Sequence, residues 1–306
     1  MKPLRIATRR SELALWQARH VASRIETELG RAAELLPLVT TGDRLPGPLA
    51  KQGGKGLFVK EIEAALLDGS ADLAVHSAKD LPAASPEALV FAAFPARADA
   101  RDALVSPAAG SLDTLPAGAR VGTGSLRRQA QLARAHPELR LLPLRGNVPT
   151  RLRRLDAGEL DAVVLACAGL ERLGLADRIT ERIDPERLLP AVGQGALAIQ
   201  VRRDDAIAGS LAALGDAATA TCVGAERACL SRLGADCTVP LGAHAVLDGN
   251  GRLALRACLF SPDGAVALED AREGRVDEAQ ALGRAAAEAL LAQGGDALLE
   301  RLRTRS

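Results

Sequence analysis

Lys79 and Asp80 are the residues of this 306-residue chain whose types and placement first suggest chemistry. An ammonium beside a carboxylate, held on a rigid edge, is a candidate acid/base pair. They follow Leu73-Ala-Val-His-Ser77, where Leu73 and Val75 alternate with smaller or polar residues as in a short buried strand. Pro82 then forbids a regular continuation. The pair therefore lies past the carboxyl end of a strand, where open α/β sheets bind ligands. A solvated turn with an incidental ion pair fits this stretch equally well. His76 reads as a satisfied structural histidine in preference to a base, and His20, His136 and His244 are scattered.

Fixed cations are the second signal. Arg outnumbers Lys thirty-four to five, and four of the five lysines lie between Lys51 and Lys79. Arg9 ends a strand, Arg127 and Arg128 fall in the first turn of a helix, and Arg145 and Arg151 flank Gly146-Asn147. A cation at a helix N-terminus opposes the macrodipole, so the placement points to an anionic ligand shared by dipole and guanidinium. Carboxylates are the natural partners, because Arg grips them bidentately. Arg153 and Arg154 read as solvated surface. Gly53-Gly-Lys-Gly56 lacks the Ser or Thr that a phosphate loop needs after its Lys. Gly122-Thr-Gly124 has Arg127 where a dinucleotide fingerprint needs its third glycine.

The five cysteines form no C-x-x-C pair and no zinc-like spacing, so no metal is expected. Cys222 and Cys229 are a helical seven apart and read as core. Cys237 differs, lying in the glycine- and proline-bounded loop Gly234–Gly242. A loop thiol is a candidate nucleophile or attachment point. Asp236 beside it opposes thiolate formation, which favours attachment over a permanently ionised nucleophile.

The elements that must position these groups read as repeated α/β units. Leu4 to Thr8 is a strand, Ser11 caps a helix ending at Gly30, and Glu34 to Val39 is a second strand. Residues 41–57 form a loop of functional length, and a helix from Phe58 leads to the strand before Lys79. The pattern then recurs. Arg5-Ile-Ala-Thr-Arg-Arg-Ser resembles Arg120-Val-Gly-Thr-Gly-Ser, and Leu67–Leu81 resembles Leu155–Leu170. Two similar α/β domains with a ligand cleft between them follow. The run Ala196–Val201 reads as a strand returning to the first sheet. From about Ala217 a helix, three strand-like runs and a helix stopping at Gly294-Gly295 make a small α+β unit. The expected domains are 1–97 with 195–214, 98–194, and 215–306.

A net charge of +1 gives no general attraction to nucleic acid or anionic membranes. Four Phe, one Trp and no Tyr leave little on which to stack bases. With no secretory h-region at the N-terminus and no apolar run near the ~20 residues of a bilayer span, a soluble, cytoplasmic monomer is expected.

Together these segments resemble the hydroxymethylbilane synthase (porphobilinogen deaminase) family almost end to end. The resemblance is carried by Arg5-Ile-Ala-Thr-Arg9 with Ser11, Leu13-Ala-Leu-Trp-Gln17, Gly53-Gly-Lys-Gly-Leu-Phe58 and Ala74-Val-His-Ser77 with Lys79-Asp80. It continues through Ser125-Leu-Arg-Arg-Gln129, Leu144-Arg-Gly-Asn147, Pro190-Ala-Val-Gly-Gln-Gly195, and Cys237 with Val239-Pro240. The resemblance implies two periplasmic-binding-protein-like α/β domains with mixed sheets, plus a small C-terminal α+β domain with a three-stranded antiparallel sheet. It implies that four porphobilinogens are condensed head to tail with loss of ammonia, and that water releases hydroxymethylbilane. It implies one dipyrromethane cofactor per chain, thioether-linked to Cys237, and Asp80 as the catalytic carboxylate. Lys79, Asp80, Thr123, Ser125, Arg127, Arg128, Arg145 and Gly146 match cofactor contacts. Arg9, Ser11, Lys51, Lys55, Arg145, Arg151, Arg172 and Gln194 match substrate contacts. Three departures stand out: Gly124 where Ser is common, Asp236 where Gly precedes the cysteine, and Pro149 for a smaller residue. The competing class is a two-domain small-anion binder of the solute-binding type. A thiol enzyme using Cys237 with His76 lacks spacing support.

Overall fold

The structure, a computed structural model, describes residues 2–41, 59–236 and 238–304. Lys51, Lys55 and Cys237 lie outside the described residues, as does nearly all of the loop expected over 41–57.

The first sheet takes β1 (Leu4–Arg9), β2 (Ala33–Leu38), β3 (Leu73–Ser77), β4 (Leu89–Ala93) and β10 (Leu197–Arg202) in the order β2-β1-β3-β10-β4. The second takes β5 (Asp102–Val105), β6 (Arg120–Thr123), β7 (Arg140–Pro143), β8 (Ala162–Ala166) and β9 (Glu181–Ile183) in the order β7-β6-β8-β5-β9. In each sheet the first three strands are parallel, and the fourth position is antiparallel to both neighbours. That antiparallel strand is β10 in one sheet and β5 in the other, each the first strand after the chain has crossed over. The sheets are therefore mixed, as the family resemblance implies.

The internal repeat is visible atom by atom. Arg5 donates from its backbone N–H, Nε and Nη2 to Asp72 and from Nη2 to Gly69 O. Arg120 does the same with Asp161 and Gly158 O. Asp72 N–H returns a bond to Arg5 O and Asp161 N–H to Arg120 O, both at 2.9 Å. One local device thus fixes where the third strand of each unit starts.

Helices α1 (Glu12–Leu29) and α2 (Lys60–Leu67) cover the first sheet, whose core holds Ile6, Ile25, Leu73 and Ile199. Helices α3 (Leu126–Ala135), α4 (Val148–Asp156) and α5 (Cys167–Arg172) cover the second, around Leu104, Val164, Leu170 and Ile183. Two segments, 94–101 and 184–196, carry the chain between the sheets. They bond to each other through Ala98 N–H to Gly195 O at 3.2 Å. Gly195 has φ +86°, and a Cβ there would lie 2.5 Å from Ala98 O, so the two crossings meet this closely only because it is glycine.

After the short α6 (Ile207–Leu211), α7 (Ala217–Leu233) and α8 (Ala279–Leu290) pack on a three-stranded antiparallel sheet of β11 (Leu241–Leu247), β12 (Arg252–Phe260) and β13 (Ala267–Arg275). The helix expected to stop at Gly294-Gly295 instead kinks at Gly294 and resumes as α9 (Asp296–Thr304). Leu298 and Leu299 give that last turn an apolar face to bury, which outweighs the glycine stop signal.

Candidate active site

β3 ends at Ser77 and passes into a single tight turn, Ala78–Asp80. Ala78 N–H donates to Ala196 O at 3.0 Å, so the entrance of β10 clamps the turn. The strand below it is fixed by a buried polar chain. His76 Nε2 lies 3.0 Å from Gln200 Oε1, and Gln200 Nε2 donates to Glu63 Oε1 at 3.0 Å. Burial holds the His76 pKa down to about 4, so the ring is neutral. His76 is scaffold, as its placement in the sequence indicated.

Asp80 is exposed and lines two cavities. The smaller, about 50 Å³, lies over the ends of β1 and β3 and is lined by Arg9, Ser11, Gln17, His76 and Ser77 as well. Ser11 also caps α1 by accepting from Ala14 N–H. The larger, about 230 Å³, adds Lys79, Ser125, Arg127, Arg128, Arg151, Gln194, Asp236 and Val239. Asp80 stands where the two meet.

No ion pair joins Lys79 to Asp80, and neither side chain hydrogen-bonds another described residue, so the acid/base pair suggested by their adjacency is not formed. Lys79 keeps part of its surface open to the cavity but sits deep in protein. Burial, with Arg128 and Arg127 nearby, lowers its pKa to about 8, against the opposing pull of Asp80 and Asp102.

The arginines are placed by two capped helix starts. Ser125 caps α3 through Arg128 N–H, and Asn147 caps α4 through Thr150 N–H, with Pro149 in the first turn where its missing N–H costs nothing. Arg127 and Arg128 are buried and share one fully buried partner, Asp102. Burial alone would raise the Asp102 pKa, but the two guanidiniums hold it down at about 2. Arg151 donates Nε to Gly146 O at 2.8 Å, and burial beside Arg128 lowers its pKa to about 10 despite Asp80.

Other expected contacts sit elsewhere. Arg172 lines neither cavity: it donates Nη2 to Gly195 O at 2.7 Å and lies 6.0 Å from the Trp16 ring centroid. Thr123 is fully buried, its hydroxyl accepting from Ser125 N–H. Arg145 and Gly146 lie outside both linings, at the start of α4 near Arg151. Gln194 lines the larger cavity but is spent on Asp102 and Ala100 O. Asp102 and Glu226 were not singled out in the sequence. Both are buried acids whose partners lie 18 or more residues away, and no spacing motif marks them.

The four described thiols are core residues. Cys167, Cys222, Cys229 and Cys258 are buried, none lines these two cavities, and burial raises the pKa of each, to about 12 for Cys167 and Cys229. Asp236 and Val239, on either side of position 237, line the larger cavity. Asp236 Oδ1 accepts from Thr238 N–H at 2.9 Å and from its hydroxyl at 2.5 Å, so the unexpected charge beside the cysteine is held by its own loop.

Residues 4–209 match the family model described as the porphobilinogen deaminase dipyromethane cofactor binding domain, and residues 220–292 match its C-terminal domain. The chain belongs to the porphobilinogen deaminase family. Porphobilinogen deaminases of Bordetella parapertussis and Bordetella bronchiseptica are each 53% identical to it over 302 residues, 98% of this chain and 96% of theirs. Among solved structures, an ABC-transporter periplasmic substrate-binding protein from Coxiella burnetii is 14% identical, with a TM-score of 0.45 over 69% of this chain and 91% of its own.

A porphobilinogen deaminase carries dipyrromethane, and the larger cavity fits that group. Two rings bring four carboxylates, and four cations (Lys79, Arg127, Arg128 and Arg151) line the space. The Arg127 Nε–H is buried with no acceptor among the described residues, a donor that a ligand carboxylate would satisfy. Asp236 and Val239, flanking the expected attachment cysteine, form part of the same wall. The glycine at 124 has a physical reason: a Cβ there would lie 2.5 Å from Leu144 O, so this backbone leaves no room for serine.

Proposed function

We infer that this chain is a hydroxymethylbilane synthase, condensing four porphobilinogens with loss of four ammonia molecules and releasing the linear tetrapyrrole with water. The observation that carries the reading is Asp80 at the junction of two cation-bearing cavities. Arg9 and Ser11 suit the incoming porphobilinogen's carboxylates in the smaller one. Lys79, Ser125, Arg127, Arg128 and Arg151 suit the cofactor and the rings already joined, with Thr123, Arg145 and Gly146 shaping the turns that carry them. Gln194 and Arg172 act at the crossing segments. Lys51 and Lys55 are assigned to substrate, and Cys237 to cofactor attachment, by their match to the family's motifs. When bound, the dipyrromethane supplies the free pyrrole α-carbon to which porphobilinogen is joined.

Loss of ammonia from porphobilinogen leaves a cationic azafulvene. Asp80, beside the pyrrole N–H, stabilises that cation through space and through the hydrogen bond. It can then take the proton released when the new carbon–carbon bond forms, because its carboxylate is open and bonded to no described residue. The surrounding arginines neutralise two carboxylates per ring, and their planar donors fix ring orientation. A net charge of +1 supports a small-molecule partner over nucleic acid.

The deciding measurement is the intact mass of the purified protein and of a Cys237→Ser variant. The first should carry an adduct of two pyrrole rings and the second none. An unmodified wild type that still turned over would refute the attachment.

A further inference from the structure

Behind the two arginines that face the larger cavity lies a single carboxylate. Asp102 opens β5 directly after the first crossing segment and is fully buried. Its Oδ1 accepts from Arg128 Nε at 3.0 Å and Nη2 at 2.6 Å, and from Gln194 Nε2 at 2.7 Å. Its Oδ2 lies 2.8 Å from Arg127 Nη2. Each oxygen therefore faces one guanidinium, Oδ1 through hydrogen bonds and Oδ2 through the ion pair alone, and Gln194 ties the assembly to the second crossing segment, whose Ala100-facing bond reaches the first.

We propose that Asp102 is a positioning residue that sets both the orientation and the net charge of the Arg127–Arg128 pair, and through them how tightly pyrrole carboxylates are held. Two arginines and one aspartate leave this buried group with a net charge of +1. Without Asp102, two neighbouring guanidiniums would lie unpaired in a low-dielectric site and would seize any available carboxylate. With it, both guanidiniums are ion-paired, and Arg128 also spends Nε, Nη1 and Nη2 on protein acceptors. Arg128 gives Nη1 to Val164 O and Arg127 gives Nη1 to Leu189 O, while the buried Arg127 Nε–H has no acceptor among the described residues. A site that meets ring after ring gains nothing from holding each of them maximally, because ground-state binding in excess does not speed the chemical step. The tempered pair suits that demand. The proposal rests on the hydroxymethylbilane synthase reading above.

The test uses the Cys237→Ser protein, which lacks the attachment thiol, with porphobilinogen titrated calorimetrically. Adding Asp102→Asn, which keeps shape but removes charge, should lower the Kd for porphobilinogen about tenfold. An unchanged or raised Kd would overturn the proposal. A residue that merely supported the fold would lower the melting temperature without tightening binding. Should the Asp102→Asn protein not fold, Gln194→Glu on the same background places a second carboxylate beside the arginines and should raise the Kd about tenfold. An unchanged or lowered Kd there is equally fatal. A Cys237→Ser protein that bound no porphobilinogen while the wild type remained active would also overturn it. A wild type making no hydroxymethylbilane would instead strike the functional reading itself.

Discussion

At the scale of single residues, the site depends on which carboxylates are free and which are committed. Asp102 and Glu226 are buried among arginines, and Asp236 is bound by Thr238. Asp80 alone of these four is exposed and carries no bond to a described residue. Truncation therefore removes no packing and leaves no buried partner stranded. Asp80→Ala should keep wild-type melting behaviour yet lose turnover by about two orders of magnitude or more, the scale of a positioned acid/base and electrostatic group. Near-normal rates in a steady-state assay would rule out its role. Asp80 was legible in the sequence because strand alternation and Pro82 locate it at a strand end. Asp102 was not, because nothing in Arg101-Asp-Ala-Leu-Val105 reports that two arginines 25 and 26 residues away will fold over it. Lys79 was half legible: its place was right, but its lack of an ion pair with Asp80 depends on how a single tight turn splays adjacent side chains.

At the scale of elements, the strand–turn–helix starts do the positioning, and each was readable from its cap. Ser11 accepts the N–H that its reading as a cap requires, and Ser125 and Asn147 do the same at the other two helix starts. Strands β4, β5 and β9 escaped notice for a physical reason. They are short apolar or mixed runs of three to five residues, in which periodicity cannot separate strand from buried helix. The antiparallel insertion of β10 and β5 was hidden too, since strand direction depends on where a crossover re-enters. The turn after β6 carries a testable contradiction of family habit. The family resemblance implies serine at position 124, yet here a Cβ would press on the Leu144 carbonyl, an atom that moves only with the backbone. Gly124→Ser should thus destabilise by about 1–3 kcal/mol, read as a lower denaturant midpoint. A neutral or stabilising result would mean that the β6–α3 turn is more adaptable than its packing indicates.

At the scale of the whole molecule, the two crossings and the third unit are joined through one buried acid. Glu226 on α7 accepts from Arg97 of the first crossing, from Gly193 N–H of the second, and from Ala245 N–H of β11. Arg97 in turn donates to Gln194 O, so the hub reaches the wall of the larger cavity. Removing one partner of a buried ion pair strands the other, and Glu226→Gln should cost about 3–5 kcal/mol of stability at neutral pH. The pH dependence follows from the sign of the Glu226 shift. Burial would raise its pKa, but Arg97 and His244 more than compensate, and the folded value lies below the ordinary one. A carboxyl depressed in the folded state contributes stability that is complete above its unfolded pKa, about 4.3, and is lost as pH falls through the lower folded value. The gap between wild type and Glu226→Gln in denaturant midpoint should therefore be widest near neutrality and narrow steadily below about pH 4. A gap independent of pH would assign the loss to packing instead of charge, and would remove Glu226 as the electrostatic tie between the three units.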